Sequence, residues 1–182
     1  MSITLHGEQV ILRPQLLSDT DNLYQILSNQ EVMKYYPRVY SREESKSWVT
    51  RNMVSYTQYG YGLWAVEREG SFIGQCGITN QNYNGKIVQE LGFHIDNSHW
   101  RKGIAYEASV LCLKYAFNTL ELQNIYVITA IDNIPAQGLA MKLGMTTSGG
   151  FIKEFSDSSK VEHVAFKLSK DEFNTSQNPT EE

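Results

Sequence analysis

Apolar residues in this chain recur in two rhythms, a short run or alternation typical of strands and a three-to-four spacing typical of helices. Val10 to Arg13 reads as a short strand. Leu23, Ile26 and Leu27 then repeat at helical spacing, and Ser18 or Asp19 stands where a cap for that helix belongs. Ser41-Arg42-Glu43-Glu44 is a capping box, in which the serine accepts from the third helical amide while Glu44 reaches back. It opens a second helix that places Val49, Met53 and Tyr56 inward and ends near Gly60. Three strands follow, Gly62 to Glu67, Phe72 to Thr79 and Val88 to Ile95. Hairpin turns at Arg68-Glu69-Gly70-Ser71 and Tyr83-Asn84-Gly85-Lys86 separate them. A third helix carries Ile104, Ala108, Leu111 and Tyr115 on one face and Glu107, Lys114 and Asn118 on another. After a strand from Ile125 to Ile131, Ala136, Leu139, Ala140 and Leu143 point inward from a fourth helix stopped by Gly144. Strands near Met145 to Phe155 and Val161 to Leu168 close the series.

The resulting order, β-α-α-β-β-β-α-β-α-β-β, predicts a mixed α/β fold. With neither internal repeat nor long linker, residues 1–174 read as one domain and the polar residues 175–182 as a disordered tail. A chain of 182 residues holds enough core to fold alone. Its formal net charge of -4, with no basic run beyond Arg101-Lys102, argues against nucleic acid as a partner and mildly favours a cationic substrate. The N-terminus lacks the charged and apolar regions of a signal peptide, and no apolar stretch approaches the ~20 residues that span a bilayer. Cys76 and Cys112, far apart in sequence and each within an apolar segment, read as reduced core residues. The expectation is a cytoplasmic protein with no membrane contact.

The segment His99 to Ala108 carries the clearest chemistry. It joins the buried strand Glu90-Leu91-Gly92-Phe93-His94-Ile95 to the apolar third helix through a basic turn containing Gly103. A helix start has unpartnered amides and a partial positive charge, so it attracts anions, and a glycine there lets a phosphate approach the backbone. The turn is neither a dinucleotide G-x-G-x-x-G nor a P-loop. Trp100-Arg101-Lys102-Gly103-Ile104-Ala105 instead resembles the acyl-CoA pyrophosphate loop of the GCN5-related N-acetyltransferases, roughly [QR]-x-x-G-x-[GA]. The tryptophan and the following Gly-x-Ala-x-Glu-Ala resemble the RimJ/RimL-type branch. Three further segments agree. Asn29 to Tyr35 resembles that family's N-x-E-V-x-x-Y. Asp132 to Ala136 with Lys142 to Met145 resembles its N-x-x-S…K-x-G-F element. His163 to Phe173 resembles its closing strand and short acidic helix. Together they cover residues 8–174 in the family's own order.

This resemblance implies a central, mostly antiparallel sheet with splayed strands flanked by helices, binding acetyl-CoA as co-substrate and requiring no metal. It implies that backbone groups of Phe93, His94 and Ile95 pair with the pantetheine, with one amide near His94 facing the thioester oxygen. Backbone amides from Arg101 through Lys102, Gly103, Ile104 and Ala105 to Tyr106 would hold the pyrophosphate. Asn133 is a good helix cap in its own right and matches a residue placed beside the pantetheine. Glu90 matches a position that commonly carries a glutamate, able to act as base through a water, although a strand-end carboxylate in a surface pair is the plain alternative. Glu31 is a candidate contact for a cationic substrate. The chain departs from the family where a hydroxyl usually protonates the departing thiolate, because Ala136 and Ala140 occupy those places. Tyr106 or Tyr126 are alternative donors. The implied activity is acetyl transfer to a primary amine, whether a protein N-terminus, a polyamine or another small amine, in a chain compatible with a homodimer. A second class stays open, an acyl-CoA-binding module with little catalysis.

Overall fold

The computed structural model describes residues 3–155 and 158–177. Their strands form one eight-stranded sheet. In chain order the elements are β1 (Leu5–His6), β2 (Ile11–Arg13), α1 (Thr20–Leu27), α2 (Arg42–Tyr59), β3 (Leu63–Arg68), β4 (Ser71–Tyr83), β5 (Lys86–Ile95), α3 (Ile104–Asn118), β6 (Asn124–Ala130), α4 (Ile134–Lys142), β7 (Thr146–Glu154), β8 (Lys160–Ser169) and α5 (Lys170–Gln177). The sheet order is β1-β2-β3-β4-β5-β6-β8-β7. Every pair is antiparallel except β5 and β6, which run parallel and meet at one position, Glu90 opposite Tyr126. This is the expected mixed α/β architecture with a splayed strand pair.

Local chemistry accounts for most boundaries. Ser41 Oγ accepts from the Glu44 amide at 3.2 Å while Glu44 accepts from the Ser41 amide at 2.8 Å, so the capping box of α2 closes in both directions. Asn84 and Gly85 take φ of 51° and 78°, the left-handed pair that a two-residue hairpin turn between β4 and β5 demands. That turn lets both strands run longer than expected, to Tyr83 and from Lys86.

Two helix expectations need correction. Asp19 does not cap α1 through its side chain. Its carboxylate is drawn instead to Arg13, at 2.7 and 2.8 Å, and to the Leu16 amide. In α2 the inward face is Ser45, Val49 and Asn52, while Met53 is exposed. A buried asparagine is tolerated at position 52 because both halves of its amide are bonded, to Gln15 and to the Leu63 amide. At the other end of the chain, Thr175 to Gln177 complete α5 rather than opening the expected tail; the remainder of that tail, 178–182, lies outside the described residues.

Alternate residues of β4 face opposite layers. Cys76 meets Ser109 and Cys112 of α3, its Sγ 3.8 Å from that of Cys112, and both cysteines are buried and free. They belong to the main core with Trp64, Ile78, Leu91 and Phe117. Gln75, next in the chain, bonds Gln15 and His94 on the α2 side. There a smaller cluster of Leu23, Leu27, Met33 and Val49 seals α1 and α2. The face of α2 can be checked by urea unfolding. Val49→Ala should cost about 2 kcal/mol through its cavity, whereas exposed Met53→Ala should stay within about 0.5 kcal/mol; similar losses at both sites would contradict this orientation.

Candidate active site

Beyond Glu90 the two parallel strands separate. β5 continues to Ile95 along β4, and β6 continues to Ala130 along β8. The gap opens into a cavity of about 820 Å³ whose walls include Phe93, His94 and Ile95 of β5, Val127 to Thr129 of β6 and the start of α3. A second cavity of about 490 Å³ lies on the side of α2, among Trp48, Arg51, Thr79 and Lys153. Glu90, Gly92, His94, Tyr36 and Asn133 line both, so the two spaces meet at the split.

The turn before α3 is shaped for an anion. Gly103 sits at the helix start with φ of 79°, and no side chain caps the amides of the first turn. Arg101 also takes a positive φ, 59°, and lines the cavity; among the described residues it has no carboxylate partner. Nδ1 of His99, buried in the same wall, has no hydrogen-bond partner. The open first-turn amides and the Arg101 guanidinium fit the acidic end of an acyl-CoA. The indole of Trp100 donates to the Ile95 carbonyl at 2.7 Å and ties the turn to the end of β5. That bond occupies one backbone group expected to be open. Ile104, Ala105 and Tyr106 line the cavity, but Lys102 turns its side chain out of it, the ammonium donating to the Ser98 carbonyl at 2.9 Å. Lys142 lies over the Tyr106 ring, 4.4 Å from its centre, and closes the wall between α3 and α4.

Glu90 is buried, and loss of solvent pushes its carboxyl up to about 7 despite the opposing pull of Lys153 and a hydrogen bond from the Ile128 backbone. A carboxyl held near neutrality can take and return a proton at working pH. His94, four residues on along the same strand, is driven the other way, down to about 4 by burial, and so is neutral. Its tautomer follows from a chain of buried polar groups. The Leu63 amide can only donate, and it donates to Asn52 Oδ1 at 3.1 Å. Asn52 Nδ2 must then donate to Gln15 Oε1 at 2.8 Å, and Gln15 Nε2 to Gln75 Oε1 at 2.8 Å. Gln75 Nε2 donates to His94 Nδ1 at 3.1 Å, which leaves the hydrogen on Nε2, directed to Tyr36 Oη at 3.0 Å. Tyr36 accepts there, so its own hydrogen is free to point into the cavities. Burial and the nearby Glu90 raise its pKa, which keeps that hydrogen in place.

The remaining expectations divide. Asn133 caps α4 by accepting from the Ala136 amide at 3.2 Å and also lines both cavities. Ala136 faces the larger cavity, but Ala140 is wholly buried in the main core, so a bulky hydroxyl residue has no room there. Tyr126 packs against Tyr83 and lines neither cavity. Glu31 lies in the wall of the larger cavity, accepting from Asn97, rather than in the smaller one. Tyr36, Gln75, Gln15 and Asn52 were not anticipated. Of these only Gln75, a polar side chain set between Phe72-Ile73-Gly74 and Cys76-Gly77-Ile78, gives a sequence signal.

The split strand pair, the uncapped helix start and the second cavity are thus brought together around Glu90, the carboxyl that burial raises. A family model described as an acetyltransferase (GNAT) domain matches residues 9–146. The chain belongs to the GNAT acetyltransferase family. It is 33% identical over 139 residues to the uncharacterised protein YkkB of Bacillus subtilis, covering 74% of this chain and 81% of that protein. It is 26% identical over 153 residues to the spermidine N(1)-acetyltransferase of Escherichia coli K12, covering 82% and 79%. The crystal structure of a GNAT-family acetyltransferase from Bacillus anthracis superposes with a TM-score of 0.76 at 24% identity, over 93% of this chain and 99% of that one. No helix among the described residues is long and apolar enough to cross a membrane. None of their side-chain clusters could hold a metal ion.

The raised carboxyl of Glu90 has a thermodynamic signature. In the unfolded chain a glutamate titrates near its ordinary 4.5; in the folded protein Glu90 titrates at about 7. The folded state therefore binds the extra proton, and the stability linked to the neutral carboxyl is full below pH 4.5 and lost as pH rises through 7. Glu90→Gln should gain up to about 3 kcal/mol on the wild type across that interval, read by urea unfolding at each pH. A difference that does not vary with pH would place Glu90 in contact with solvent.

Proposed function

We propose that this protein transfers the acetyl group of acetyl-CoA to a primary amine, with the donor in the larger cavity, the acceptor in the smaller one, and the reaction at their meeting point beside Glu90. Acetyl-CoA supplies the thioester and its thiol leaving group. Gly103, Ile104, Ala105 and Tyr106 offer the first-turn amides of α3 to the pyrophosphate, and Arg101 adds charge at the rim. Phe93 and His94 lie along the open edge of β5, where an extended pantetheine can join the sheet as an added strand. Asn133 stands on the opposite wall. Lys102 is left to brace the turn.

Glu90 takes a proton from the amine, directly or through one water, and its pKa near 7 suits that task better than the weakly basic His94. As the new N–C bond forms and the C–S bond breaks, negative charge passes through the thioester oxygen onto sulfur, and the thiolate is protonated from water or by Glu90. Tyr36 is the group the sequence lacked at positions 136 and 140, with a different part to play. Its raised pKa makes it a poor acid but a lasting hydrogen-bond donor to developing negative charge, with the His94 Nε2–H behind it. The single observation that carries this reading is the position of Glu90 in the wall common to two cavities. A module that only bound acyl-CoA would need neither the second cavity nor a carboxyl tuned to neutrality beside it.

Thiol release from acetyl-CoA over an amine panel tests the activity. kcat/KM should rise with pH through about 7, and Glu90→Gln should abolish that limb, lowering kcat by about 10²–10⁴-fold with acetyl-CoA affinity kept. Tight binding without turnover of any amine would favour the binding module. Tyr36→Phe keeps the ring and should reduce kcat by about 10–100-fold with little change in acetyl-CoA affinity. An unaltered kcat would remove Tyr36 from the reaction.

A further inference from the structure

The charge of the smaller cavity opposes that of the whole chain. The protein carries a formal net charge of -4, and the sequence alone favoured a cationic substrate. Among the described residues, however, the only carboxylate in this wall is Glu90, buried at the split. Two cations share the wall with it, Arg51 of α2 and Lys153 of β7. Neither has a carboxylate within ion-pair distance among the described residues. Each rests instead against an aromatic face, the Arg51 guanidinium 5.9 Å from the centre of Trp48 and the Lys153 ammonium 5.4 Å from that of Phe155. Such a seat holds a cation in place while leaving most of its N–H donors free. His163, in the same wall, is kept neutral by burial, and its Nδ1 donates to the Val161 carbonyl, so it adds no charge to the wall.

We infer that the acceptor is an amine that also carries a carboxylate, an amino acid rather than a polyamine, held by Arg51 and Lys153 at its anionic end while its amine reaches Glu90. This inference rests on the acetyltransferase reading and narrows it. Arg51 offers the planar fork that matches a carboxylate, and Lys153 a second point charge from the facing strand. Trp48 and Phe155, which seat these cations, supply apolar surface for the body of the molecule. A polyamine would bring its second ammonium against two like charges and meet no carboxylate beyond Glu90. Glu31, which might have received it, is engaged with Asn97 in the other cavity.

The test compares each acceptor with a partner lacking only the anion. Thiol release from acetyl-CoA is measured for amino acids against their methyl esters, and for ω-amino acids against diamines of equal length. Free acids should show kcat/KM at least about tenfold above their partners, the value of one or two charge-assisted hydrogen bonds. The double variant Arg51→Gln, Lys153→Gln should collapse that ratio towards one, and Arg51→Lys should retain part of it. Calorimetry with an N-acetyl amino acid against its methyl ester reads the same preference without turnover. Esters or diamines used as well as free acids, or a preference that survives the double variant, would overturn the inference while leaving the acetyltransferase intact. Release of no thiol with any amine, together with equal affinity for the acid and its ester, would overturn both.

Discussion

The whole site depends on one shortage of hydrogen bonds. β5 and β6 are parallel neighbours that share a single register position, although each is fully paired along its other edge. β5 pairs with β4 at ten positions and β6 with β8 at seven. Parallel ladders are slightly weaker per residue than antiparallel ones, and the one parallel pair of this sheet is the one that opens. Once it yields, backbone that would be sealed inside a continuous sheet faces a gap. Glu90, at the last common rung, becomes the hinge of the opening. The polar turn, the bare helix start and both cavities are arranged around that point.

Burial then does chemical work that the residue types alone do not reveal. The same loss of solvent raises Glu90 to about 7 and lowers His94 to about 4, so two groups on one strand are moved in opposite directions: near pH 7 the carboxyl is divided between its two forms while the imidazole is neutral. A catalytic pair of carboxylate and imidazolium would have been the naive assignment. The environment leaves one group able to exchange protons and confines the other to passing a hydrogen bond.

What the sequence could show was whatever local physics encodes. The capping box at Ser41, the Asn84-Gly85 turn and the helical spacing after Gly103 each specify a boundary within a few residues, and all three stand. The order of elements and the resemblance around Trp100 to Ala105 led to the family. The helix faces were harder. Met53 was expected inside by hydrophobicity, yet Asn52 holds the inner position, since its two bonds offset the cost of burial. Spacing could not show that Lys102 leaves the cavity while Arg101 stays, because this depends on departures from ordinary φ at Arg101 and Gly103, on either side of Lys102. Nor could it assemble Gln15, Tyr36, Asn52, Gln75 and His94. They come from five different parts of the chain, and a polar residue gives no hint in sequence of which distant partner it will find. Ala140 fails for the opposite reason: an alanine on a helix fits a core as readily as a cavity.

The chain of amides from Leu63 to Tyr36 has a direction, and it is set at the far end. Only the Leu63 backbone is unable to reverse; every side chain after it takes its orientation from the one before. The hydrogen that His94 presents to Tyr36 is therefore decided at α2, three side chains upstream, in the helix that also carries Arg51. It behaves like a sentence whose last word is fixed by its first. Replacing any amide in the middle with its carboxylate would not merely weaken one contact but reverse the reading, asking His94 to donate where it now accepts. A stretch of core that looks like inert packing thus carries a single bit of information from one wall of the smaller cavity to the other.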